Sequence, residues 1–101
     1  MEDFVLFMHD DASDRVLAGN DALWGRYFTR LRHSGAFEGG SSIGAGVCLN
    51  RAAATPLPLS AINGYIRIRA ESLEAAQAHV AGNPVYEAGG TVELRHLPRD
   101  V

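Results

Sequence analysis

The sequence contains no lysine, so all nine of its basic residues are arginine, and the formal charge of the 101 residues is −3. Binding to nucleic-acid phosphates needs clustered basic residues, so this balance argues against a nucleic-acid partner. Arginine prefers forked contacts with carboxylates and phosphates. A small anionic ligand therefore remains compatible with the composition.

Disulfides and membrane segments are also missing from the pattern. Cys48 is the single cysteine and has no partner within the chain, so we expect it to be an inert apolar residue. No apolar run approaches the length of a bilayer span. Glu2 and Asp3 stand where a secretory signal needs basic residues. We expect a cytoplasmic protein with no membrane association.

The first half of the chain predicts a strand, a helix and a second strand. The unbroken apolar run 4–8 is typical of a strand covered on both faces, and 10–14 reads as a polar loop. Asn20 is a good N-cap, and Gly35 suits the left-handed end of a helix. The apolar segment 47–49 predicts the second strand. Between the caps, apolar side chains recur at helical spacing and read as core: Leu23, Trp24, Tyr27, Phe28 and Leu31.

The second half predicts a connection, a strand, a helix and a last strand. Two prolines make 52–60 a connection and not a helix. Residues 62–69 alternate between apolar and polar side chains, as a half-buried strand does. Ser72 caps a second helix that ends at 82–84, and the last strand spans 91–97.

The resulting order, βαββαβ, is the split βαβ pattern of a ferredoxin-like α+β fold. It predicts a four-stranded antiparallel sheet with two helices on one face, built as one domain over 1–101. An apolar first strand in a sheet covered on one side would leave an apolar open face, so we expect a homodimer.

The glycine-rich stretch 39–46 suggests a phosphate-binding loop at first sight. However, it lacks the Gly-Lys-Ser/Thr ending, and no helix opens after it to face a phosphate. Flexible turns or a β-bulge explain these glycines better.

Five segments, taken in their order along the chain, resemble the YCII-related family. They are Gly-Gly-Ser-Ser-Ile-Gly at 39–44, Gly-Tyr-Ile at 64–66, Ser-Leu-Glu-Ala-Ala at 72–76, Asn-Pro at 83–84 and Gly-Thr-Val-Glu-Leu-Arg at 90–95. In that family a glycine-tyrosine strand leads into a helix that opens with Ser-Leu-Glu-Ala. The closing strand carries Val-Glu-(Leu/Ile)-Arg. The similarity covers nearly the whole chain.

The resemblance implies a subunit of a dimeric α+β barrel, paired through its open sheet face, with a cleft between sheet and loops. Some relatives are thought to use a His–Asp pair as acid and base. The family places that histidine in an Arg-x-x-His stretch opening the first helix, where this chain has Leu-Trp-Gly-Arg at 23–26. The Asp-Gly-Pro-Phe element of one subgroup is replaced by Thr-Pro-Leu-Pro at 55–58. The family's catalytic pair therefore does not carry over to this chain.

Polar side chains on the last two strands form our candidate ligand site. On the sheet face without helices we place Tyr65, Arg67, Glu93 and Arg95. The hypothesis is that in a dimer they line a cavity for a small anionic or phenolic molecule, with arginine as its counter-charge. The alternative is an ion pair between Arg67 and Glu93 on neighbouring strands, which would only make the dimer interface specific.

His9 ends the first strand beside Asp10 and Asp11, and it is our candidate general base. Neighbours on a strand point to opposite faces, so the alternative is a solvated loop. The four histidines lack metal-ligand spacing, and no motif predicts a cofactor. With Tyr65 and Arg67 as orienting groups, hydration, elimination or isomerisation fits best. The second reading is a non-catalytic accessory or regulatory dimer.

Overall fold

A computed structural model describes residues 1–99 and shows a four-stranded antiparallel sheet. The strand order is β2-β3-β1-β4, the order of the ferredoxin-like fold, so the predicted fold class is confirmed. The elements are β1 (Glu2–His9), α1 (Arg15–Ala18), α2 (Asp21–Ser34), β2 (Phe37–Ser42), β3 (Ile62–Ala70), α3 (Leu73–Gln77), α4 (Pro84–Glu87) and β4 (Val92–Leu97).

β1 lies in the middle of the sheet and pairs with β3 on one side and β4 on the other. Its side chains alternate between the two faces, as in any strand. Phe4, Leu6 and Met8 are buried on the helix side and form the centre of the core. Val5 and Phe7 point to the open face, where Val5 is nonetheless only 6% exposed. The apolar run is therefore covered on both sides at Val5, as predicted.

α2 begins and ends where its caps predict. The Asn20 side chain accepts a hydrogen bond from the Leu23 backbone N–H, and Gly35 takes the left-handed conformation with φ of 78°. Within the helix, Tyr27 and Leu31 are buried in the core. The Tyr27 hydroxyl donates to the His79 carbonyl oxygen at 2.7 Å, and burial raises the pKa of this hydroxyl. This hydrogen bond therefore links α2 to the segment that follows Gln77.

The predicted position of the second strand is wrong. β2 lies at Phe37–Ser42, within the glycine-rich segment, and 47–49 contributes only an isolated bridge between Cys48 and Leu57. A register shift between Phe37 and Gly39, with Gly39 at φ of 120°, is a β-bulge. At Gly40 an added Cβ would lie 2.4 Å from the Tyr65 backbone oxygen. Glycine is therefore what lets β2 approach β3 this closely.

The second predicted helix is also shorter and divided. α3 begins after the Ser72 cap but ends at Gln77, and a separate α4 begins at Pro84. Proline suits the first turn of a helix, so this residue starts an element that we expected it to terminate. Asn83, which is completely buried, caps α4 by accepting from the Val85 and Tyr86 backbone N–H groups. In the same way Asp14, the last residue of the predicted polar loop, caps the short α1, for which the sequence pattern predicted no element.

The segment between β2 and β3, residues 43–61, is called the β2–β3 loop below. It carries a single charge, at Arg51, and exposes most of its large apolar side chains, namely Ile43, Val47, Leu49, Leu57 and Leu59. The radius of gyration is 15.0 Å, against about 13 Å for a compact domain of this length. Among residues 1–99, no helix has the length and apolar character that a bilayer span requires.

The close approach at Gly40 predicts a large effect of a single methyl group. Gly40→Ala should lower the free energy of unfolding by about 1–3 kcal/mol, because the new Cβ meets backbone and the two strands must move apart. Urea unfolding followed by circular dichroism measures this change. Gly44→Ala is the matched control, since nothing lies within 4 Å of its Cβ position, and it should change stability by less than about 0.5 kcal/mol. Equal effects of the two substitutions would contradict this account of β2.

Candidate functional site

The open face carries the polar side chains that the sequence places there. Tyr65 and Glu93 both lie opposite Phe7, and Arg67 and Arg95 both lie opposite Val5. The face is less apolar than expected, because none of the large exposed apolar side chains among residues 1–99 belongs to it. The arginine stems flanking Val5 account for its burial, since long charged side chains cover apolar surface while keeping their heads in water.

The alternative pairing of Arg67 with Glu93 is wrong. β1 lies between β3 and β4, so the two residues are on strands that are not neighbours. Glu93 instead accepts from His9 Nε2 at 3.1 Å through Oε1 and from Arg95 Nη1 at 3.2 Å through Oε2. Within residues 1–99, Arg67 has no carboxylate at salt-bridge distance.

His9 and the two aspartates that follow it each bind different partners. His9 binds Glu93, while Asp10 accepts from Arg15 and, at 3.5 Å, from Asn63 Nδ2. The Asp11 carboxylate accepts from the Thr91 hydroxyl at 2.6 Å and from the Thr91 backbone N–H at 2.8 Å. These bonds hold the pKa of Asp11 below its ordinary value. The three neighbours are thus neither one catalytic cluster nor a plain solvated loop.

The contact with Glu93 decides which nitrogen of His9 is free to act as a base. Hydrogen bonds from His9 and Arg95 hold the pKa of Glu93 below its ordinary value of 4.5, so the carboxylate is ionised at neutral pH and can only accept. In neutral His9 the proton therefore resides on Nε2, and Nδ1 has the lone pair. An ionised carboxylate on the far nitrogen is also the arrangement that stabilises an imidazolium after proton uptake.

A cavity of about 730 Å³ lies between α2 and the sheet, on the helix side. Its floor is formed by Met8, Gly40, Gly64 and Ile66. Gly64 pairs with Met8 in the sheet, and its lack of a side chain leaves room above the strands. This volume is within the range of small-molecule sites.

One side of the cavity is a continuous row of aromatic rings, called the aromatic wall below. Trp24 stacks on Phe28 at 5.6 Å between ring centres, and Phe28 meets Phe37 edge-on at 5.5 Å. The indole N–H of Trp24 donates to the Ala18 carbonyl oxygen at 2.8 Å, which fixes the ring at the start of α2. Two of the five residues predicted to be core, Trp24 and Phe28, therefore face the cavity. A flat, apolar ring is the shape that such a wall accepts.

Polar groups lie at the two ends of this wall. His9, Asp10, Arg15 and Asn63 line the cavity near the start of α2, and Arg32 lines it near the helix end. Of the residues predicted for the site, His9 and Tyr65 belong to the cavity lining, whereas Arg67, Glu93 and Arg95 do not. The structure thus links Glu93 to the cavity through His9 and leaves the two arginines on the open face.

Sequence reasoning missed the cavity residues on α2. Trp24, Phe28 and Arg32 stand four residues apart, so they share one face of the helix, and the arginine interrupting an aromatic row was the available signal. No group of three or more histidine, cysteine, aspartate or glutamate side chains suited to a metal ion occurs in the described part of the chain.

Comparison with known proteins shows the fold and leaves the family open. No family model matches the chain, and no curated protein matches it in sequence. Among solved structures it is similar to 5-chloro-2-hydroxyhydroquinone dehydrochlorinase from Burkholderia phenoliruptrix, in complex with 2,5-dihydroxybenzoquinone. The TM-score is 0.63 at 18% identity, over 97% of this chain and 95% of that one. Likeness at this identity supports the small α+β fold of a ferredoxin-like domain.

The lowered pKa of Glu93 predicts a pH-dependent contribution to stability. A depressed carboxyl pKa stabilises the folded state above the unfolded value near 4.5, and this stabilisation is lost as the pH falls through the folded value. Glu93→Gln should therefore have a lower melting temperature than the wild type at pH 7, and the difference should shrink below about pH 4. Thermal unfolding at pH 7, 5, 4 and 3 checks this. A difference that is constant over the series would exclude an ionic role for Glu93.

Proposed function

We propose that the chain binds a small hydroxylated aromatic molecule in the cavity under α2 and acts on it by acid–base chemistry. The observation that carries the proposal is an aromatic-walled cavity with His9 in its lining, backed by an ionised Glu93. A concave, mostly apolar site with a few convergent polar groups is the usual form of a small-molecule site. Tyr65 also borders the cavity, but its side chain lies on the open face with that of Arg67, so it is not proposed as an orienting group.

The proposed chemistry moves protons and needs no oxidant. Nδ1 of His9 takes the proton of a ring hydroxyl, and Glu93 stabilises the imidazolium that forms. The electron pair left on oxygen forms a carbonyl, and the ring carbon that gains electron density takes the proton back. This sequence is an isomerisation. Where the carbon that takes the proton also carries a leaving group, loss of the proton of a second ring hydroxyl to His9 follows. The electron pair left on that oxygen forms a second carbonyl, the ring double bond shifts, and the leaving group departs with its bonding pair, so the reaction is an elimination that yields a quinone.

Two further observations support this choice of substrate class. The dehydrochlorinase that shares the fold acts, by its name, on a chlorinated hydroxyhydroquinone and was solved with a dihydroxybenzoquinone. The ordered motifs from 39–44 to 90–95 also favour a divergent member of the YCII-related family. Hydroxylated six-membered rings are therefore the first compounds to test.

Replacing His9 should abolish turnover and leave the fold intact. With a hydroquinone or hydroxyquinone found by thermal shift, His9→Gln should lower kcat roughly 10²–10⁴-fold, because a general base contributes about that much. The rate is followed by ultraviolet absorbance. His96→Gln is the matched control, since His96 makes a similar 3.0 Å contact with Glu2 and is absent from the cavity lining.

Equal activity of His9→Gln and the wild type would remove His9 from the mechanism. If no hydroxylated aromatic shifts the melting temperature at millimolar concentration, the small-molecule proposal fails, and the accessory or regulatory reading takes its place. That reading has its own support in the exposed apolar side chains of the β2–β3 loop.

We also propose that the protein is a homodimer in which a second copy covers the β2–β3 loop. The loop exposes Leu49 at 77% and Val47 at 62%, and its only charge is Arg51. An apolar patch of this kind is unusual on a monomer and is typical of an interaction surface. Arg67 and Arg95 lie on the open face, where they would meet a ligand only in a cavity closed by a second copy.

Polar substitutions in the loop should separate the subunits. The triple variant Val47→Ser, Leu49→Ser, Leu59→Ser should shift the mass at micromolar concentration from dimer to monomer, since it removes the apolar area available to a partner. Light scattering coupled to size exclusion measures the mass. Val16→Ser, at a residue 82% exposed but outside the loop, should leave it unchanged. A monomeric wild type would overturn the dimer.

A further inference from the structure

Arg32 is a cation in the cavity lining that has no counter-charge. Its guanidinium lies 5.0 Å from the centre of the Phe37 ring and 5.7 Å from that of Phe28, and both rings also line the cavity. In the described range 1–99, no carboxylate lies at salt-bridge distance from it. The arginine is therefore held on the aromatic wall by stacking alone.

The other arginine of the cavity is already neutralised. Arg15 donates to the Asp10 carboxylate and, at 3.2 Å, to the Asp10 carbonyl oxygen. Near His9, the arginine of the cavity lining is therefore already paired with a carboxylate. The arginine available to an anionic group of a ligand is Arg32, at the opposite end of the cavity.

The helix sets the distance between the two ends. Trp24, Phe28 and Arg32 follow each other at four-residue intervals on α2, and eight residues of helix rise about 12 Å. Side chains that reach inward shorten this span. The geometry suits a ring against Trp24 and Phe28 with one substituent toward His9 and another toward Arg32.

A purely structural role for Arg32 is the competing explanation. It stands in the last turn of α2, where a cation stabilises the helix dipole. His33 lies in the same turn. Arg30 points elsewhere and donates a hydrogen bond to the Ala81 carbonyl oxygen. If Arg32 only stabilised the helix, replacing it would change the affinity for charged and for neutral ligands by the same factor. The two explanations therefore differ in ligand charge preference.

We infer that Arg32 is a specificity-determining residue and that the ligand is an aryl anion. Its ring would carry a carboxylate, or a similar anionic group, on the side remote from the hydroxyl that His9 acts on. This inference rests on the proposed function, because it assumes that the cavity under α2 is the binding site.

The test uses two probes of nearly the same shape, the anion 4-hydroxybenzoate and the neutral 4-hydroxybenzamide. Trp24 is the only tryptophan of the chain and lines the cavity, so quenching of its fluorescence reports binding. The wild type should bind the benzoate about tenfold or more tightly than the amide, the usual worth of a charge-assisted hydrogen bond. In Arg32→Gln the ratio should fall to about one with the amide affinity unchanged.

Two further variants separate charge from helix stability. Arg26→Gln removes the same charge from an exposed position of α2 that is absent from the cavity lining, and the ratio should stay at the wild-type value. Arg32→Lys keeps the charge but not the forked geometry, so it should retain part of the preference. A benzoate preference that survives in Arg32→Gln would overturn the inference.

The outcomes distinguish this inference from the proposed function. If both probes bind the wild type equally, or if neutral hydroquinones quench Trp24 while neither probe does, Arg32 is not a specificity residue and the proposed function stands. If no aromatic compound quenches Trp24 or shifts the melting temperature, both proposals are overturned.

Discussion

The position of β1 in the middle of the sheet is the constraint on which the other features depend. Because it pairs on both edges, its alternation decides which side chains enter the core and which face outward. Phe4, Leu6 and Met8 pack in the core on the helix side of the sheet. Met8 also forms part of the cavity floor. The register between β1 and β4 brings Glu93 of β4 within hydrogen-bond distance of His9, the last residue of β1.

Four of the nine arginines illustrate three different surroundings. Arg15 and Arg95 are matched to nearby carboxylates, Arg67 is open to solvent, and Arg32 rests on aromatic rings. A chain without lysine uses one functional group for all three purposes. The planar guanidinium can do so because it forms forked hydrogen bonds and also stacks on rings.

Much of the fold could be predicted because its signals are local. Asn20 and Gly35 define α2 by hydrogen bonding and by a left-handed conformation, and the alternation of 62–69 marks β3 without any knowledge of its neighbours. The position of β2 could not be predicted in this way. Its residues are glycine and serine, and they form a strand because β3 lies close enough to pair with them, which is a tertiary effect.

The candidate site was predictable only in part, for the same reason. Alternation placed Tyr65, Arg67, Glu93 and Arg95 on one face, but the partner of Glu93 depends on strand order, which local pattern does not contain. The cavity depends on the distance between α2 and the sheet. Trp24 and Phe28 have the same spacing whether they fill a core or line a void, so periodicity alone could not separate these cases.

The bulge in β2 also limits how copies of the protein can meet. β2 is an edge strand, and an edge with regular unpaired N–H and C=O groups would invite another strand to extend the sheet. Gly39, at φ of 120°, breaks that regular row within the first residues of the strand. Fibre-like growth by strand addition is therefore disfavoured at this edge of the sheet, where self-association is left to side-chain surfaces.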